Sequence, residues 1–416
     1  MTFDERIDKK IQRSAASSII VDHAFLDDEQ LSKDQQLRVL RDIFEQNIRE
    51  KEIDEIIAHF APMLRKQHPF HLSILGKTGT GKTATTLLLL AHLQKAARQK
   101  ELEMRYEHLD LSTPRPCFRA MNDLACLLDA SKRYTKGIST DEMAGRIEEK
   151  LANYEGYLAL FIDEIDHVNQ DLDTFLKFLV RRLPQAIPAK LVLVFASNNL
   201  TWRKDIDTRV KSFLKLNEII FQPYNAMDLQ KILRARVARA LNPEMVDEGV
   251  VEKIAGLASR EHGDARKAVE LLSKATQLAD RHGTRLTLET VDAGYQALEV
   301  DSYLEFVKTS PEQLQAALLA ALEALEKNKG NAVPAIDIYS FYEKVCQVNR
   351  ISQLTQRRFS DLLMELDLYG FIRTKNVSMG RYGRRKEIDL LIPPNVVERI
   401  KATIQLSFTA EVSGAG

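Results

Sequence analysis

Apolar residues recur along this chain in three successive rhythms. Over residues 30–60, Leu37, Leu40, Ile43, Phe44 and Ile48 fall at helical spacing and predict an amphipathic lead-in helix. After Phe70 the rhythm shortens. HLSIL at residues 71–75, a stretch around residues 106–109, LALFID at 158–163 and LVLVFASN at 191–198 are short apolar strands, and a helix over 84–98 follows the first. Near-continuous apolar strands alternating with helices predict an α/β domain whose parallel sheet is covered on both faces. Beyond Pro223 strand signals vanish, and helical periods run to about Leu298 with acid-led starts at Asp228, Asp247 and Asp264. A helical second domain is therefore expected. A break near residues 301–311 opens a third unit of three helices and two short strands, ending at about Ile404. Residues 1–18 are polar and expected to be loosely ordered, and the tail SFTAEVSGAG to be disordered. The predicted boundaries are thus 1–18, 19–225, 226–300, 306–405 and 406–416.

Composition narrows the picture only slightly. A chain of 416 residues, 44% hydrophobic and 28% charged, is long enough for two or three cores at roughly 150 residues per domain. Its 59 basic and 59 acidic side chains cancel, so attraction to a polyanion has to come from local clustering. Three cysteines, Cys117, Cys126 and Cys346, form neither a disulfide framework nor a C-x-x-C pair. That points to a reducing compartment without structural zinc. With no apolar signal core and no run of about 18 apolar residues, no membrane partner is expected and the protein reads as cytoplasmic.

Chemistry concentrates at the ends of the predicted strands. GKTGTGKT, Gly76-Lys77-Thr78-Gly79-Thr80-Gly81-Lys82-Thr83, follows a strand and precedes a helix opening at Ala84, as a phosphate-binding P-loop requires. Its glycines turn backbone N–H groups toward a phosphate, and the helix dipole faces the same way. Lys82 would then reach the β- and γ-phosphates of ATP, and Thr83 would ligate Mg²⁺. FIDEID carries Asp163 to a strand end as a second Mg²⁺ partner, with Glu164 placed to polarise an attacking water. Asp166 can equally be a helix cap. Asn198 closes the next strand at the same sheet edge, where an amide can orient water or only form a turn. Arg209 in DTRVKS and Arg266 in GDARKA are further candidates, alongside the ordinary reading of solvated arginines.

Local clustering does occur near the carboxyl terminus. A helix opening at Thr355 places Phe359, Leu362, Leu363 and Leu366 on one face and directs Arg357, Arg358 and Asp361 elsewhere. Two strands follow, joined by SMGRYGRR. Residues 372–386 hold Arg373, Lys375, Arg381, Arg384, Arg385 and Lys386 and no acid. A hairpin tipped by arginines and Tyr382 suits a phosphate backbone or a minor groove of double-stranded DNA.

Taken in order, GKTGTGKT, FIDEID, FASNN, TRVKS, GDARKA and the carboxyl-terminal stretch resemble the AAA+ ATPases of the archaeal origin-recognition-complex type. The similarity covers roughly residues 19–404. The resemblance implies an AAA+ P-loop domain, a helical lid and a carboxyl-terminal winged helix, binding ATP or ADP with Mg²⁺. It implies that Asn198 is the sensor-1 residue and that Arg266 is the sensor-2 arginine reaching the γ-phosphate. Arg209 becomes a candidate arginine finger toward a neighbouring initiator subunit, and hydrolysis in a monomer is then expected to be slow. Residues 131–151 look like the family's extra helices, where Arg133 and Lys136 could touch DNA or form an exposed basic turn. The family's Pro-containing turn and basic-acidic pair before the first helix are replaced here by VDHAFLDDEQLSKDQQLRVL, leaving Ile20, Val21 and Phe25 as an apolar surface for adenine. The implied function is recognition of origin DNA and loading of the replicative helicase, in the cytoplasm at the nucleoid. A nucleotide-switched transcription or signalling regulator and a DNA motor are the rival readings.

Overall fold

The computed structural model describes residues 19–27, 33–128, 137–204, 206–378 and 384–414. The chain divides into two compact units, residues 1–294 and 295–416.

In the first unit the lead-in region forms two helices rather than one, α1 (Lys33–Phe44) and α2 (Glu50–Phe60). The break comes from Asn47 and Arg49, both in the left-handed region, a conformation incompatible with a continuing right-handed helix. The strands β1 (His71–Gly76), β2 (Met104–Asp110), β3 (Arg115–Pro116), β4 (Tyr157–Asp163), β5 (Val168–Gln170), β6 (Lys190–Ser197) and β7 (Leu216–Phe221) follow. Five form a parallel sheet in the order β2-β4-β6-β1-β7, and β3 pairs with β5 separately. β7 had no recognised sequence signal, because Asn217 and Glu218 are exposed and break its apolar run.

Alternation along the strands builds two cores. Ala159, Phe161, Val192, Val194 and Ala196 face α2 and α3 (Lys82–Gln99). Leu158, Leu160, Ile162, Leu191, Leu193 and Phe195 face α4 (Cys117–Leu128), α5 (Thr140–Leu151) and α6, a helical stretch over 172–186 with a π-helical turn at Phe178–Arg182. The carboxyl ends of β1, β4 and β6 bring Gly76, Asp163 and Ser197 to one edge of the sheet, where the candidate site lies. A short helix α7 (Thr208–Leu214) precedes β7.

Next come α8 (Ala226–Ala240), α9 (Val250–Arg260) and α10 (Ala265–His282). Two of their starts are capped by side chains: Asn225 accepts from the Asp228 N–H at 2.8 Å, and Asp264 accepts from the Arg266 N–H at 2.8 Å. Helix α11 spans Leu288–Thr309 and ends within the expected 301–311 window.

The second unit wraps α13 (Ala335–Asn349), α14 (Gln356–Leu368) and α15 (Pro394–Gly414) around α12 (Glu312–Lys327), whose AALLAAL centre is buried on every side. Thr355 caps α14, Phe359, Leu363 and Leu366 are buried, and Gly370 ends the turn at φ 76°. β9 (Ile372–Ser378) and β10 (Arg384–Leu390) form the expected antiparallel hairpin, and β8 (Val333–Pro334) adds a third strand. The expected disordered tail is corrected: α15 continues through residue 406, with Phe408 buried and the Ser407 hydroxyl donating to Gln315 Oε1 at 2.5 Å. An apolar residue one helical turn beyond Ile404 keeps the helix packed on the core. Residues 1–18 lie outside the described residues.

Candidate active site

The P-loop joins β1 to α3 with backbone that only glycine adopts easily. Gly79 has φ 70°, and a Cβ there would lie 1.7 Å from Asp264 Oδ1 of the lid. Gly81 has φ 84°, and its Cβ would meet the Tyr224 hydroxyl. The Ala265 N–H donates to the Gly79 carbonyl at 3.1 Å. Lid and loop thus touch through backbone, which explains the glycines at this join.

Lys82 is buried, and its ammonium donates to Gly76 O at 2.8 Å, Lys77 O at 2.9 Å and Asn198 Oδ1 at 2.7 Å. Burial lowers its pKa, while Asp163 opposes that shift and Arg266 reinforces it. Asn198 in turn donates through Nδ2 to Glu164 Oε1 at 3.1 Å. The Thr83 hydroxyl donates to Asp163 Oδ2 at 2.6 Å. Burial alone would raise the Asp163 carboxyl, but the His108 imidazole, the Thr83 hydroxyl and the Lys82 charge together hold it below the usual range. Asp166 is no helix cap here, since it accepts from the Ser197 hydroxyl at 2.6 Å. Ammonium, amide and carboxylate lie in one hydrogen-bonded line at the sheet edge.

Gly79, Gly81, Lys82, Thr83, Ala84, Tyr224 and Arg266 line one cleft of about 680 Å³. Ile20 and Val21 are not among the residues lining this cleft. Ile20 is buried in a bridge to Leu241, and the Val21 side chain is 69% exposed while its N–H donates to Ala240 O. Apolar lining comes instead from Leu40 and Ile43 of α1 and from Ile232 and Val269 of the lid. Pairing of residues 19–21 with the end of α8 is a tertiary event that periodicity does not register. Arg209 is exposed on α7 and lies outside the cleft lining, with its N–H bound to the Asp207 cap at 2.7 Å.

Arg49 was not singled out from the sequence. Its side chain is nearly buried, pairs with Glu52 at 2.7 Å, donates to the Thr80 carbonyl at 2.9 Å and to Gln222 O, and lies 4.0 Å from the centroid of the Tyr224 ring. One guanidinium therefore ties α2, the P-loop and the segment entering the lid. The only sequence hint was a basic residue opening an acid-rich helix, IREKE, which reads as an ordinary solvated face.

In the second unit, Arg357 and Arg358 are exposed at the start of α14. Acids outside the counted stretch reach the hairpin: Lys375 pairs with Asp389 at 2.6 Å, and Arg385 Nε donates to Glu387 at 2.9 Å. Lys386 donates to the Ser360 hydroxyl at 3.1 Å. Arg133, Lys136, Arg381 and Tyr382 lie outside the described residues, as does the Arg384 side chain.

Comparison with known proteins agrees with this architecture. Residues 65–201 match the AAA domain, 230–296 the Cdc6 AAA+ ATPase-type lid domain and 305–400 the CDC6 C-terminal winged helix domain. The ORC1-type DNA replication protein of Pyrococcus abyssi is 34% identical over 360 residues, covering 85% of each chain. The chain belongs to the ORC1-type DNA replication protein family. Its ORC1-type relative from Archaeoglobus fulgidus is 32% identical over 84% of this chain and 85% of its own. The Aeropyrum pernix ORC1 protein, solved in complex with DNA, superposes with a TM-score of 0.73 at 28% identity, over 95% of this chain and 99% of that one. An AAA+ domain, a Cdc6-type lid and a winged helix are therefore the three parts of this ORC1-type chain, and the first supports ATP binding and ATPase activity in general. Among the described residues no helix is long and apolar enough to cross a membrane.

Proposed function

We propose that this chain is an ATP-dependent replication initiator that recognises double-stranded origin DNA and helps load the replicative helicase, with slow hydrolysis acting as a switch. The observation that carries the reading is the line Lys82, Asn198, Glu164, closed over by Arg266 from the lid of an ORC1-type chain. Lys82 moves from the carbonyls of its own loop to the β- and γ-phosphates. Asn198 then serves as sensor 1, Arg266 as sensor 2, and Glu164 polarises the attacking water. Thr83 and Asp163 offer hard oxygen donors side by side and would hold Mg²⁺, which when bound neutralises phosphate charge. Arg209, exposed and outside the cleft, suits a finger offered to a neighbouring initiator subunit; such a finger contributes about 10³ to 10⁵ in turnover, so the lone chain hydrolyses slowly.

Exposed Arg357 and Arg358, with Lys375, Arg381, Tyr382, Arg384 and Arg385 of the hairpin, form the proposed DNA surface, and Arg133 and Lys136 a second contact. The test is genome-wide mapping of binding sites for the native chain and Lys82→Ala. Sites at replication origins, with nucleotide binding lost in K82A and DNA contact kept, are expected. Promoter-wide occupancy would instead favour a transcription regulator, and the initiator reading would fall.

A further inference from the structure

We propose that His167 is a positioning residue for hydrolysis, fixing the carboxylate of Glu164 from the side opposite Asn198; the inference rests on reading Glu164 as the group that polarises water. Glu164 sits at φ 55°, a left-handed conformation that a side-chain-bearing residue holds only when its surroundings impose it. Its Oε1 accepts from Asn198 Nδ2 at 3.1 Å, and its Oε2 lies 3.1 Å from His167 Nδ1.

The proton on that nitrogen is fixed by its neighbours. His167 Nδ1 also lies 3.1 Å from the Leu111 carbonyl and 3.0 Å from the Ser112 carbonyl. Carbonyl oxygens and an ionised carboxylate only accept, so Nδ1 must be the nitrogen that carries hydrogen. The ring is therefore clamped to the backbone that leaves β2, and that backbone is itself held by the Leu111 N–H donating to the Asp163 carbonyl at 3.2 Å. The His167 N–H donates to the Glu164 carbonyl at 2.9 Å, closing the turn between them.

Asn198 thus donates to one oxygen of the carboxylate, while the His167 ring stands 3.1 Å from the other with its single Nδ1 hydrogen shared with the two backbone carbonyls, each residue on a different element of the sheet edge. A carboxylate offers about four acceptor sites, so room for a water remains after both contacts are made. Asn198 ties Glu164 to the P-loop lysine, and His167 ties it to the β2 exit. Holding a general base within a fraction of an ångström matters, since a misplacement of about 1 Å can cost about 10² in rate.

The test uses the full chain with ATP and Mg²⁺ under single-turnover conditions, reading the hydrolysis rate constant and the ATP dissociation constant separately. His167→Phe keeps the ring but removes the donor, and should slow hydrolysis about ten- to a hundredfold with ATP affinity unchanged. His167→Asn returns an N–H donor near the same place and should recover hydrolysis to within about threefold of the native rate. Should H167F fail to fold, His167→Ala takes its place, with H167N again as the rescue. Native or faster hydrolysis in H167F overturns the inference, and so does a loss that H167N does not recover. Glu164→Gln run in parallel separates the two levels. If E164Q hydrolyses normally, the reading of Glu164 fails; if E164Q is inactive and H167F is not slowed, the role of His167 alone fails.

Discussion

Lys82 in the nucleotide cleft is 6% exposed and donates to three oxygens of the protein, whereas the Arg385 side chain in the hairpin is 48% exposed and pairs with one acid on its own strand. Both regions gather cations that could meet phosphate. In the cleft, removal from water forces every charge to have fixed partners, because an unpaired buried ion is too costly to keep. Geometry is the consequence, and it is what phosphoryl chemistry needs. In the hairpin, solvent screens each ion pair, so the arginines and lysines of the proposed DNA surface would exchange an acid for a phosphate at little cost. The same residue types therefore build a rigid site in one unit and an adaptable surface in the other.

Removing a cation is the sharpest way to break that comparison. Arg49→Ala should destabilise the first unit by about 3 to 5 kcal/mol, because the buried Arg49 side chain is lost, partly buried Glu52 loses its partner, and the P-loop and the segment entering the lid lose a shared anchor. Thermal unfolding of the full chain would measure it. A change below about 1 kcal/mol would place Arg49 in the class of surface pairs after all.

Acid should act on the first unit through His71. Burial, helped by His68 and His59, lowers its pKa to about 4, while Nδ1 accepts from the Leu193 N–H at 3.1 Å. Between about pH 6.5 and 4 the unfolded chain binds a proton that the folded chain refuses, so this contribution is complete above 6.5 and is lost as pH falls toward 4. The loss is on the order of 3 kcal/mol. Chemical denaturation across that range should show a slope that His71→Asn reduces, and an unchanged slope in H71N would assign the acid sensitivity elsewhere.

The smallest effect on stability belongs to the hairpin. Arg385→Ala should alter folding by less than about 1 kcal/mol, as exposed pairs do. Its effect should appear instead in DNA binding, where each lost phosphate contact reduces the salt slope of log affinity by about 0.9. Titrations of duplex at several salt concentrations decide this, and an R385A slope equal to the native one would remove Arg385 from the contact surface.

Sheet, lid and carboxyl-terminal unit were all legible in the apolar rhythm, since strands buried on both faces and helices buried on one leave period and length in the sequence. GKTGTGKT, FIDEID and FASNN were legible for a related reason: polar residues ending apolar strands have to lie at one edge of the sheet. What escaped were the partnerships between distant segments that no motif announces. Arg49 reads as a solvated arginine until α2 is packed beside Tyr224, and His167 reads as a loop histidine until β2 delivers the Leu111 and Ser112 carbonyls. The acids that meet Lys375 and Arg385 lay just past the basic run, where strand register had yet to bring Asp389 within reach. By itself the sequence determined the long apolar strands, the helical character of the second and third parts and the place of the P-loop, because backbone geometry and burial act locally and periodically. Only the tertiary structure decided which side chain completes each charge and which residues line the cleft, because those depend on distances between segments that no local pattern encodes.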